Sequence, residues 1–224
     1  HIHSVTSKLH GMKFFSKVDL FSAFHQIPMN PDDVEKTAVA TPFGTFEYWY
    51  MPFELRNASA SLQRHMDNLF MNVPCAFTYL DDILIFSKSR EQHLRDMETV
   101  LKILNDNCLR ISLNKCCFMQ KTIDFLGCNI SAEGVWPTQK KLYEINDFSE
   151  PTDSKSLRRF LGMMGFYRRL VPNFAASVLP LTELIKSHPN AKELTLNTEE
   201  KQSFSEIKKI LSELTLLLPS LTIK

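Results

Sequence analysis

Apolar and polar residues alternate along this chain in ways that change character from its first half to its second. Residues 14–20, Phe14-Phe15-Ser16-Lys17-Val18-Asp19-Leu20, are rich in aromatic and β-branched side chains and predict a strand. Asn30-Pro31-Asp32-Asp33 is a turn cluster. Between Thr37 and Tyr50, two β-like runs flank Pro42-Phe43-Gly44-Thr45 and predict a hairpin. Ala58, Leu62, Met66, Leu69 and Phe70 then recur near a 3.6-residue period, predicting a helix over 57–71 with Asn57 as its N-cap. From Ala76 to Ser87, two apolar runs surround Asp81-Asp82, which predicts a second hairpin with the carboxylates at its tip. Residues 91–107 read as an amphipathic helix burying Leu94, Met97, Val100, Leu101 and Leu104. Short strands are expected around 109–113 and 122–130, with Gly127 allowing a bend or bulge. Beyond Pro137 the pattern is helical, over about 138–148, 153–170, 176–186 and 199–214, with breaks at Glu150-Pro151, Val171-Pro172-Asn173 and Ser187-His188-Pro189-Asn190. The fold class this implies is α+β, a mixed domain followed by helices.

Composition narrows the classes of function. A chain of 224 residues with 44% hydrophobic and 23% charged residues lies in the ordinary globular range. Its longest apolar runs, such as Ile83-Leu84-Ile85-Phe86, are far too short to span a bilayer, so no membrane partner is expected. No signal peptide is visible, and His1-Ile2-His3 reads as a cut inside a longer chain. Five cysteines without a C-x-x-C pair favour neither a disulfide framework nor a zinc site, and predict reduced, mostly buried thiols in an intracellular protein. The net charge of +1 is uninformative about nucleic acid, but Lys155, Arg158, Arg159, Arg168 and Arg169 form a local basic stretch. Taken alone, that stretch reads as a solvated helix face.

Asp19 occupies a place in a core strand where an apolar residue belongs. A buried carboxylate costs several kcal/mol unless it is paired or bound to a metal. A strand-end Asp capping the next turn is the plain alternative. Asp81-Asp82 alone would be an ordinary turn pair. Together with Asp19 they are the hard-oxygen ligand set that two magnesium ions require, one activating an attacking hydroxyl and one clamping a leaving pyrophosphate. Spacing leaves open whether Asp19 meets Asp81.

The motifs resemble those of a known family. Val18-Asp19-Leu20-x-Ser22-Ala23-Phe24-His25-Gln26-Ile27 looks like the first catalytic motif of reverse transcriptases from gypsy-type LTR retrotransposons. Tyr79-Leu80-Asp81-Asp82 matches their Y-x-D-D box, and Phe125-Leu126-Gly127 resembles the strand pair that grips the primer end. Leu157-Arg158-Arg159-Phe160-Leu161-Gly162 with Phe166-Tyr167-Arg168-Arg169 resembles the thumb helix that follows. The resemblance covers essentially the whole chain. It implies a right-hand polymerase palm at 1–29 and 51–135, a remnant of fingers at 30–50, and a helical thumb at 136–186. Residues 187–224 would begin a connection toward an RNase H domain that lies outside the chain.

By the same resemblance, Asp19, Asp81 and Asp82 would hold two Mg2+ ions, with Mn2+ as a substitute. Phe24 would be the aromatic wall beneath the nucleotide sugar, a role compatible with core packing. Phe53 and Gln63 would lie near the nucleotide, and Gln63 with its helix would support the template–primer. Lys115 matches the lysine proposed as proton donor to departing pyrophosphate, against the plain reading of a surface lysine. Tyr79, Phe125, Leu126 and Gly127 would touch nucleic acid, and Arg158, Arg159, Arg168 and Arg169 would meet phosphates. The implied partners are an RNA or DNA template–primer, deoxynucleoside triphosphates, and the fingers, RNase H and integrase portions of a polyprotein. The implied location is intracellular: cytoplasm, virus-like particle or nucleus.

Two departures from the family pattern bear on activity. Glu54 stands where M-P-F-G-L carries Gly, and Ser59 replaces a Pro at the helix entry. A carboxylate about 4 Å from a triphosphate, at an effective dielectric of about 20, costs roughly 4 kcal/mol. The basic residues of the fingers would precede His1. The expected function is RNA-directed DNA polymerisation. The alternatives are a catalytically inactive or domesticated remnant that binds nucleic acid or protein, and a metal-dependent nuclease sharing the carboxylates.

Overall fold

A computed structural model describes residues 6–53, 55–168 and 171–216. The chain divides into two compact units, 1–126 with 130–135, and 127–129 with 136–224.

The first unit opens with a short helix, α1 (Thr6–Leu9). Its centre is a four-stranded antiparallel sheet, ordered β4-β5-β1-β6. These strands are β1 (Phe14–Asp19), β4 (Ala76–Tyr79), β5 (Asp82–Ser87) and β6 (Cys117–Gln120). A separate hairpin, β2 (Val39–Thr41) and β3 (Gly44–Phe46), forms where Pro42-Phe43 predicts it, and Gly44 takes φ +133. Two helices supply the apolar cover, α2 (Ala58–Phe70) and α3 (Arg90–Asp106). Alternate residues of a strand face opposite sides. Val18, Ile83 and Ile85 accordingly pack with Leu62, Met66, Val100 and Leu104 in one core, all at most 2% exposed. Each such side chain contributes about 1.5–3 kcal/mol on burial. The opposite face carries Phe15, Leu84 and Phe86, also buried, and then Lys17, Asp19 and Asp82.

Asn57 precedes α2 as expected, but its side chain makes no capping bond. Helix α3 is capped by Ser89 Oγ, which accepts from Gln92 N–H at 3.2 Å. Its buried face differs in phase from the expected one. Leu94 is 48% exposed, whereas His93 and Asp96 are buried with Val100 and Leu104. The reason is a polar network beneath the sheet. Ser87 Oγ donates to Asp96 Oδ2 at 2.6 Å, so it can only accept from His93 Nδ1, 2.9 Å away. His93 Nε2 is then left to accept from Ser16 Oγ at 2.7 Å, and Ser16 accepts from Met119 N–H at 3.0 Å. Gln92 Nε2 completes the set with a bond to Asp96 Oδ1 at 2.7 Å.

Where a strand was expected at 109–113 there is a single bridge, Leu20 to Ile111, followed by a 3-10 turn at Leu113–Lys115. The segment 122–130 is not one strand but two, β7 (Thr122–Phe125) and β8 (Cys128–Ser131), and β9 (Gly134–Pro137) completes a three-stranded sheet ordered β7-β8-β9. The turn between β7 and β8 is Leu126-Gly127, with φ +49 and +76, a tight reversal that favours glycine at its second position. All five cysteines are free thiols. Only Cys128 is buried, which corrects the mostly buried expectation: Cys108 sits in a left-handed turn after α3, and Cys117 begins the outermost strand β6.

The second unit is helical. It contains α4 (Gln139–Asn146), α5 (Ser154–Phe166), α6 (Phe174–Ser177), α7 (Leu179–Ser187) and α8 (Thr198–Leu216). Asp153 and Ser156 form a reciprocal capping box that starts α5. This helix stops at Phe166, earlier than the expected residue 170, because Tyr167 N–H bonds back to Met164 and tightens the last turn. The predicted helix at 176–186 is divided in two, since Pro180 lacks the N–H needed to continue α6 and instead sits in the first turn of α7. Phe160 anchors the interior, with Phe148 and Phe204 rings at 5.5 and 4.5 Å. Among the described residues, no helix is long and apolar enough to cross a membrane.

Candidate active site

The antiparallel register of β1 and β5 sets Asp19 directly opposite Asp82. Side chains so paired lie on one face with Cβ atoms about 4.5–5.5 Å apart, and like charges there are destabilising. Leu20 N–H donates to the Asp81 carbonyl at 3.0 Å, and Ser112 N–H donates to the Asp19 carbonyl at 2.7 Å. The tip of the Asp-Asp hairpin is therefore laced to the end of β1. The turn itself is Leu80-Asp81, and Leu80 adopts φ +52, a left-handed conformation costly for a branched residue.

Gln63 of α2 holds that turn. Its Oε1 accepts from Leu80 N–H at 2.8 Å, and its Nε2 donates to the Thr78 carbonyl at 3.2 Å and to Asp67 Oδ1 at 2.8 Å. Both ends of the amide are committed within the protein. Gln63 thus braces the hairpin that carries Asp81 and Asp82.

Electrostatics single out Asp82 and Asp19. Burial pushes the Asp82 carboxyl above its ordinary range. The Lys17 ammonium, 3.0 Å from Asp82 Oδ1, pulls it back, and the charges of Asp81 and Asp19 push it up again. Asp19 is 8% exposed, and its buried Oδ1 has no hydrogen-bond partner. Lys115 Nζ stands 3.7 Å away, close enough for an ion pair but too far for a hydrogen bond. A buried carboxylate oxygen with an open lone pair is a natural seat for a hard cation. Among the described residues, no three Asp, Glu, His or Cys side chains are grouped as a metal cage. What stands ready is the Asp19–Asp82 pair, with Asp81 adjoining at the turn. The donor chemistry fits a divalent cation.

Phe24 lies in a 3-10 turn, packs partly on the core, and meets the exposed Phe53 edge-on at 5.1 Å. Tyr79 ends β4 opposite Asp82 and is 41% exposed. Phe125 is interior, 1% exposed, with its ring 6.1 Å from that of Phe77. The Gly127 carbonyl accepts from the Tyr167 hydroxyl at 3.2 Å and from Thr138 N–H at 3.1 Å, fixing the Leu126-Gly127 turn from behind.

The arginines separate. The Arg158 guanidinium bonds the Pro189 carbonyl, and Arg159 lies over the Phe148 ring at 5.7 Å. Arg168 is exposed beyond the end of α5. Arg169 and Glu54 lie outside the described residues. Sequence reasoning missed Lys17, although its two-residue offset from Asp19 in a strand places both on one face. It also missed the bracing role of Gln63, for which no local pattern gives a signal.

The site is thus an antiparallel sheet with acidic residues on its two central strands, β5 and β1. The family described as "Reverse transcriptase (RNA-dependent DNA polymerase)" matches residues 1–130, more than half of the chain, and the chain belongs to that family. Among curated proteins it is 37% identical over 214 residues to the retrovirus-related Pol polyprotein from transposon 297 of Drosophila melanogaster, covering 94% of this chain and 20% of that one. It is 32% identical over 221 residues to the gypsy Pol polyprotein of the same species, covering 94% and 21%. The chain thus spans about a fifth of these relatives. Two solved structures are similar throughout. The foamy viral protease–reverse transcriptase dRH in complex with ds DNA has a TM-score of 0.85 at 27% identity, covering 95% of this chain and 38% of that one. The foamy viral enzyme with an RNA/DNA hybrid has a TM-score of 0.77 at 28% identity, covering 89% and 27%.

Proposed function

We propose that this chain is the catalytic core of an RNA-directed DNA polymerase that adds deoxynucleotides to a primer 3′-hydroxyl. The observation that supports it most is the buried Asp19 Oδ1, which accepts no hydrogen bond, on the strand adjoining Asp82. Two Mg2+ ions, or Mn2+, held by Asp19, Asp81 and Asp82 would supply an activated hydroxyl and neutralise charge on the leaving pyrophosphate. The protein's own groups do the rest. Gln63 keeps the Asp-Asp turn in its left-handed geometry. The Phe24–Phe53 pair provides an aromatic floor for the sugar, which disfavours a 2′-hydroxyl. The primer oxygen attacks the α-phosphorus, the bond to pyrophosphate breaks, and the exposed Lys115 ammonium beside Asp19 gives that leaving group a proton. Tyr79 and the Leu126-Gly127 turn position the primer, and Arg168 meets phosphate. The polymerase subdomains follow as palm 1–29 and 51–135, fingers 30–50, thumb 136–186 and connection 187–224. The template–primer, the nucleotides and the RNase H and integrase portions of a polyprotein inside the cell are the partners this reading requires.

Primer extension on an RNA template with a DNA primer and Mg2+ tests it, using this chain and the polyprotein segment that contains it. Asp19→Asn should lower incorporation about 10³-fold. Equal extension by Asp19→Asn would overturn the assignment. Absence of extension from both wild-type proteins would leave the remnant alternative.

A further inference from the structure

The two lysines beside the carboxylates are placed very differently, and this inference rests on the polymerase reading of that corner. Lys115 reaches Asp19 from a side chain that is 65% exposed, and stops at 3.7 Å. Lys17 lies within β1, with its side chain only 23% exposed and its ammonium 3.0 Å from Asp82 Oδ1. We propose that Lys17 is a resident counter-ion of the Asp19–Asp82 pair. It neutralises the corner between metal loadings and leaves Asp82 when a divalent cation arrives.

The sheet supplies the argument. Lys17 shares its face with Phe15, Leu84 and Phe86, which are 0%, 0% and 3% exposed. Its partner across the ladder is Leu84. An apolar side chain would suit that position, and an ammonium there must find an anion or reach water. Asp82 is its diagonal neighbour, two residues from Leu84 on β5, a separation that a long side chain can span. Asp82 in turn stands opposite Asp19, so the register confronts two carboxylates: Lys17 lies within hydrogen-bond reach of Asp82, while Lys115 approaches Asp19 and stops at 3.7 Å. A divalent ion bound to Asp82 draws on the charge of the same carboxylate. The lysine and the metal therefore compete, and Lys17 sets both the metal-free stability of the corner and its affinity for the ion.

Binding of Mn2+ to the 224-residue chain, followed by the electron paramagnetic resonance of free Mn2+, tests this without any turnover. Melting in EDTA is measured alongside. Lys17→Met should bind Mn2+ about tenfold more tightly than wild type. It should melt about 2–4 °C lower without divalent ions and recover when Mn2+ is added. Lys17→Arg should keep wild-type affinity, and Asp82→Asn should lose the tightest site. Should Lys17→Met fail to fold, Lys17→Gln gives the same comparison. Mn2+ binding by wild type with equal or weaker affinity in Lys17→Met and Lys17→Gln overturns the counter-ion role and leaves the polymerase reading standing. No Mn2+ binding by wild type, Lys17→Met or Lys17→Gln overturns both.

Discussion

Two polar clusters sit on the same pair of strands and have opposite characters. Under the sheet, Ser16, Ser87, His93 and Asp96 form a closed set in which each described donor meets an acceptor. On the other face, three residues further along β1, Asp19 keeps a buried oxygen with no hydrogen bond, opposite a second carboxylate. A satisfied buried network rigidifies a fold, and an unsatisfied one stores free energy that a ligand can release. Burial and polarity are alike in both places. Only the accounting of donors and lone pairs tells the structural cluster from the chemical one.

Exchanging the effects of mutation between the clusters is the sharpest way to break this contrast. Asp82→Asn should cost about 10³-fold in nucleotide incorporation while leaving the melting temperature unchanged or slightly raised, since it removes a like charge opposite Asp19. His93→Ala should do the reverse. Losing a fully buried ring and stranding Ser16 and Ser87 should cost about 3 kcal/mol. For a chain of this size that is a fall of about 6–12 °C by calorimetry, with activity per folded molecule retained.

Gln63→Ala probes the link between brace and chemistry. It frees the Leu80 N–H and the Thr78 carbonyl, so stability should drop by about 1 kcal/mol. Incorporation should fall about tenfold, in kcat more than in KM, because the hairpin and not the nucleotide is displaced. Unchanged kcat with raised KM would return Gln63 to direct nucleotide contact.

The smallest effects concern pH, and the clusters should pull in opposite directions. Burial pushes the His93 imidazole below its ordinary value of 6.5, with the Asp96 charge opposing. Below that value the unfolded chain binds a proton that the folded chain refuses, so His93 makes stability fall as pH drops through about 6.5. Asp82 has a raised carboxyl pKa, so the folded state binds its proton first. Its contribution therefore declines as pH rises from 3.8 through the folded value, and added Mg2+ should erase that dependence. Melting curves of wild type, His93→Gln and Asp82→Asn across about pH 4 to 8 separate the two slopes. A wild-type profile that neither substitution alters would remove both assignments.

Much of this is legible in the sequence, and the failures have physical causes. The strand ending in Asp19, the hairpin carrying Asp81-Asp82 and the long helices announce themselves through periodicity and turn residues. The phase of α3 escapes a hydrophobic count because its inward stripe begins with His93 and Asp96, which such a count passes over. Strand β6, Cys117-Phe118-Met119-Gln120, shows no alternation of its own and becomes a strand only with β1 beside it. The contacts of Arg158 and Arg159 lie outside what spacing shows. The partners they find, the Pro189 carbonyl and the Phe148 ring, come from distant or irregular segments that spacing does not reveal.

The left-handed Leu80 has an evolutionary consequence. Its backbone conformation is one that glycine or asparagine adopts at lower cost, and the Gln63 amide helps hold leucine in it. Positions 63 and 80 should therefore be epistatic. In a library grown on a Gln63→Ala background, the residues recovered at position 80 should shift toward glycine and asparagine, whereas with Gln63 intact the same position should tolerate bulkier side chains. Sequence drift at the catalytic turn is then conditional on a helix residue seventeen positions earlier.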